Sequence, residues 1–162
     1  MAYFVLKSYF VLKFLHVIGA SVLLGTGAGI AFFMLMAHRG GRPAVIAGVA
    51  RIVVIADFVF TATAVVLQPV TGILLVREVG YSLTDAWIVW SIVLYLVTGV
   101  FWLPVVWIQM RMRDLALAAV ADGTELPRSY HRLFRWWFAS GFPAFAAVAA
   151  IFWLMIARPV AG

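Results

Sequence analysis

The chain has no cysteine, which excludes disulfides, thiolate metal ligands, iron–sulfur clusters and thiol nucleophiles. Charge is scarce as well: 12 Lys and Arg stand with 6 Asp and Glu among 162 residues. So few ionisable groups cannot cover a water-soluble globule that is 66% apolar with a mean hydropathy of +1.10. The solvent for most side chains is therefore lipid. No lysine follows Lys13, no Ser-His-Asp set or zinc spacing occurs, and Gly25-Thr26-Gly27-Ala28-Gly29 lacks the lysine and preceding strand of a phosphate loop. In this setting the +6 charge reads as membrane topology and attraction to anionic headgroups, with no nucleic-acid partner.

What is present is long apolar runs. Phe14 to Ala37 and Trp87 to Met110 are each 24 residues without a formal charge, and Trp136 to Ala157 is 22. Ile52 to Val76 has a single charge, Asp57. Each run is long enough to cross a hydrocarbon core of ~30 Å as a helix. The expected fold is an all-α integral membrane four-helix bundle in a single transmembrane unit, with helices over 9–37, 52–76, 87–110 and 136–157. The first run is too long for a cleavable signal and no small-residue cleavage site follows it.

Orientation follows from the basic residues. Loops one and three carry Arg39, Arg42, Arg51, Arg111, Arg113, Arg128, Arg132 and Arg135, eight in all, against Lys7, Lys13, Arg77 and Arg158 on the other side. This places both termini outside the cytoplasm and the protein in a bacterial inner membrane. The spans contain Pro69, Pro104 and Pro143 and a Gly25/Gly29 pair, residues that bend helices or let a neighbouring backbone approach.

Few residues can carry chemistry. His16 is the histidine inside a span, and its helical face continues through Gly19, Ala20, Leu23, Gly27 and Ile30, a groove of mostly small side chains. A macrocycle ligated by His16 can lie on such a groove, with Gln68 at similar depth. The alternative is a histidine hydrogen-bonded to Gln68, Thr71 or Ser91. His38 is 22 residues from His16, about 33 Å along a helix, so the two cannot ligate one iron. His38 and His131, however, fall on the same side and can share a site. Asp57 must be neutral, hydrated or paired, and the expected partners are Arg111, Arg113 or Arg135. Met34, Met36, Met110 and Met112 admit a copper-handling reading, because thioethers suit copper(I). Trp87, Trp136, Trp137 and Trp153 read as an aromatic belt.

The segments LKFLHVIGASVLLGTGAGIAFFMLMAHR, ADFVFTATAVVLQPVTG, LYLVTGVFWLPVVWIQMRMRDLA and FASGFPAFAAVAAIFWLMIARP resemble the blocks of an uncharacterised bacterial family of small predicted integral membrane proteins. That resemblance implies four helices and supplies no catalytic residues. More remotely, His16 and the His38-Arg39 pair resemble HemJ-type protoporphyrinogen oxidases and CopD-like membrane proteins. The HemJ-type resemblance implies a haem b protein with His16 as axial ligand, while the lysine that those proteins carry in a later helix is missing. The leading expectation is a haem-binding redox protein exchanging electrons with a quinone or porphyrin-like partner. A non-catalytic accessory subunit packing on membrane protein partners or forming a homo-oligomer, and a copper-handling protein, are the alternatives.

Overall fold

A computed structural model describes residues 2–158, with side chains placed from Lys7 to Arg158. It contains four helices long and apolar enough to cross a membrane and, among the described residues, no strand. They are α1 (Ala2–Gly40), α2 (Pro43–Val79), α3 (Ala86–Ala121) and α4 (Arg128–Ala157). Each extends past the apolar run that announces it, α3 by eleven residues beyond Met110. A charge ends the lipid-embedded part of a helix without ending the helix, since Arg, Met, Leu and Ala all have high helix propensity.

The helix ends carry their own signals. α1 stops at Gly40, and Gly41 takes a left-handed φ of 66° while its amide bonds the His38 carbonyl. Pro43 then opens α2 from the first turn, where its missing N–H is no loss. α2 closes on Gly80 at φ 81°, whose N–H bonds the Val76 carbonyl. Between these ends the helix is interrupted by a π-helical turn, Asp57–Thr61, in which the Ala62 amide reaches back five residues to the Asp57 carbonyl.

This turn divides the labour of α2. Its first part, Pro43–Ala56, packs on α3 and α1, whereas its last part, Ala62–Val79, packs on α1. α3 and α4 pack along one another. All four helices meet at the pole of loops one and three, around Met34, Ile46, Met112, Tyr130, Phe134 and Trp137. Toward the other pole, the hydroxyl of Tyr95 on α3 donates to the Val65 carbonyl on α2, and Arg158 donates to the Tyr81 hydroxyl at 2.8 Å. The inward stripe of α1 runs His16, Gly19, Leu23, Thr26, Ile30, Met34 and Ala37, spacings of three and four that keep one side of a helix against its neighbours.

Candidate functional sites within the bundle

The first polar cluster joins α1 to the last part of α2. His16 Nδ1 lies 2.9 Å from Thr71 Oγ1. The Thr71 hydroxyl already donates its single proton to the Leu67 carbonyl at 2.7 Å, so it accepts from His16, and the imidazole carries its proton on Nδ1. Gln68 Nε2 donates to the His16 carbonyl at 2.8 Å. Two glycines make room for this. A Cβ on Gly19 would collide with Gln68 Nε2, and one on Gly72 would stand 3.3 Å from His16 Cε1. The structure therefore brings His16, Gly19 and Gln68 together through helix packing. Leu23 is half-buried on the same stripe. Gly27 lies beside the stripe, exposed, with nothing within 4 Å of where a Cβ would be. Gly25 is open in the same way.

The second cluster surrounds Asp57, six residues or about 9 Å inward of Arg51 along α2. Its side chain is 3% exposed. The π turn directs it toward α3, where Trp102 Nε1 donates to Oδ1 at 3.3 Å. The indole of Trp137 approaches the Gln109 amide from the far side, and an indole can only donate. Gln109 must therefore turn its oxygen to Trp137, at 3.1 Å, which points its nitrogen at Asp57 Oδ2, at 2.8 Å. Each carboxyl oxygen thus faces a donor, and the geometry suits a carboxylate.

The expected arginine partners do not reach Asp57. Arg111 and Arg135 are exposed, and Arg113 pairs with its neighbour Asp114 at 2.8 Å. Gln109 and Trp137 occupy the inward faces of α3 and α4, so Arg111 and Arg135, two positions away, point elsewhere. Trp137 is likewise a core residue at 5% exposed, not part of a belt, while Trp136 and Trp153 remain outward at 67% and 70%. The sequence did not single out Trp102 and Gln109 as partners of Asp57, nor Trp137 as the donor that orients Gln109. The available signal was Gln109, an uncharged polar residue near the end of the third span at the depth of Asp57.

Of the methionines, Met34 and Met112 share the core at the pole of loops one and three, Met110 is half-buried, and Met36 is exposed away from them. Among the described residues no group of three His, Cys, Asp or Glu side chains is placed to hold a metal ion. His38 and His131 do come together at the pole of loops one and three, their ring centroids 5.6 Å apart, with His38 stacked on Phe134 at 3.6 Å.

No curated protein and no solved structure matches the chain. A family described as a predicted integral membrane protein, DUF2269, matches residues 10–159. With the match covering almost all of the sequence and four membrane-length helices in the fold, the chain belongs to this family of integral membrane proteins.

Proposed function

We propose that the protein handles protons within the membrane, with Asp57 as the working group. The observation that carries this reading is a buried carboxyl in a transmembrane helix with a donor at each oxygen and, among the described residues, no cation paired with it. Ionisable groups in a span are expensive and usually functional. π turns also recur at functional positions. Two neutral donors reduce the cost of the anion without cancelling its charge, which leaves the carboxylate a standing attraction for a proton.

Infrared difference spectra of the reconstituted protein between acid and alkaline pH test this. A carboxyl C=O band that titrates in wild type and in Glu78→Gln but is absent from Asp57→Asn is the expected result. In liposomes under a membrane potential, dye-reported proton uptake should fall several-fold in Asp57→Asn. Equal uptake together with no Asp57-dependent band overturns the proposal. Should Asp57→Asn fail to insert, Trp102→Phe keeps the carboxyl and removes one donor, and an unshifted band midpoint in that variant overturns it equally.

A second reading keeps His16 as an axial ligand of b-type haem in a redox protein. Its support is the Nδ1 bond to Thr71, since a metal-ligating histidine commonly donates its other ring N–H to a neighbour that fixes the ring. Nε2 is then the nitrogen left to ligate. The Gly19 notch is not the seat of a macrocycle here, because Gln68 fills it. When bound, haem would supply one-electron chemistry. Purified protein with a Soret band lost in His16→Ala supports this reading, and haem retained at wild-type level in that variant ends it.

A further inference from the structure

At the pole of loops one and three, a cleft of about 390 Å³ opens between the α1–α2 turn and the start of α4. It is lined by His38, Gly41, Arg42, Pro43, Glu125, Leu126 and His131. Neither Asp57 nor His16 takes part, so the proposed function leaves this site unexplained. We infer that this cleft binds a phosphate group, held by His38, Arg42 and His131.

Three features support an anion. First, the lining sets one guanidinium and two imidazoles against the single carboxylate of Glu125. Second, the setting of the His38 ring favours an anion over a metal. The ring stacks on Phe134, and its Nδ1 is buried without a hydrogen-bond partner. A buried orphan acceptor is tolerated better than a buried orphan N–H, so the proton belongs on Nε2. Nε2 is then a donor, which suits a phosphate oxygen and leaves no lone pair for a metal ion. Third, α2 and α4 both begin at this cleft, at Pro43 and Arg128, and neither start has a side-chain cap. Their positive ends add to the attraction for a phosphate.

The site stands at the end of the apolar span of α1. An acidic phospholipid can thus seat its headgroup in the cleft and its chains along α1 and α2. A soluble phosphate ester offers the same group without the chains. Glu125 is then available to accept a hydrogen bond from a headgroup hydroxyl.

Native mass spectrometry of delipidated, detergent-solubilised protein separates the sources, using phosphatidylglycerol, phosphatidylcholine and glycerol phosphate as probes. Retention of phosphatidylglycerol over phosphatidylcholine that falls about fivefold in Arg42→Gln or His131→Gln, and is unchanged in Arg77→Gln at the other pole, assigns the site to a lipid headgroup. Saturable glycerol phosphate binding with the same variant pattern, and no lipid preference, assigns it to a soluble ester. Binding of none of the three probes, or binding indifferent to Arg42 and His131, overturns the inference. Zinc binding lost in His131→Gln without any phosphate preference also overturns it, in favour of a metal site.

Discussion

Gln68 on α2 donates its amide to the His16 carbonyl on α1 at 2.8 Å, through space that exists because residue 19 has no side chain. A helix carbonyl that already serves its own helix takes a second bond, and two backbones are held close at that point. This is the use that small residues commonly have between membrane helices.

Gly19→Ala should therefore push the flexible end of Gln68 aside and cost little more than the hydrogen bond it breaks, about 0.6 kcal/mol. Gln68→Ala alone should cost about 0.6 kcal/mol, the average for an interhelical hydrogen bond in a membrane. Unfolding in mixed micelles should find the double variant Gly19→Ala/Gln68→Ala less destabilised than the sum of the singles. Additive losses would mean that residue 19 and Gln68 do not share this space.

The Asp57 network makes a sharper demand. In Asp57→Asn the new NH₂ must face either the Trp102 indole or the Gln109 amide, and Gln109 cannot turn away while Trp137 donates to its oxygen. The resulting donor–donor contact should cost about 1–3 kcal/mol. Adding Gln109→Glu supplies an acceptor to both the introduced amide and Trp137, so thermal melts of the double variant should regain most of the loss. No recovery would show that the amide orientation inferred for Gln109 is wrong.

Tyr130 is fully buried and its hydroxyl has no hydrogen-bond partner. Removing an unsatisfied buried polar atom while keeping the ring should be neutral or stabilising by up to about 1 kcal/mol. Melting curves of Tyr130→Phe check this, and a clear loss of stability would reveal a partner for the hydroxyl.

A reporter fused after Gly162 should be active outside the cytoplasm, given eight basic residues on one side against four on the other. Cytoplasmic activity would reverse the sidedness of Asp57 and of the phosphate cleft together.

The four spans were legible because uninterrupted apolar length is a one-dimensional property of a sequence. The bond between His16 and Thr71 was legible in outline for a related reason: depth can be counted at 1.5 Å per residue along antiparallel helices, which paired His16 with Gln68, Thr71 and Ser91. Rotation cannot be counted in the same way. Whether Trp137 or Trp136 faces inward is nevertheless marked at the start of α4, where Tyr130, Phe134 and Trp137 recur at spacings of four and three opposite Arg128, Arg132 and Arg135. At Asp57 the arginines, conspicuous by charge, were preferred to the Trp102 indole and the Gln109 amide, which carry no charge to announce them. The π turn left no sign in composition, since Asp57-Phe58-Val59-Phe60-Thr61 continues an ordinary apolar run.

That turn also gears the helix. A π turn lodges one extra residue in α2, and one residue corresponds to about 100° of rotation around a helix axis. Residues before it are phased to face α3, while residues after it are phased to present Gln68 and Thr71 to α1. If the same residues wound as one regular α-helix, one of its two faces would be out of step with its partner by more than a quarter turn, whereas deleting a single residue from 59–60 removes the turn and keeps both faces in place.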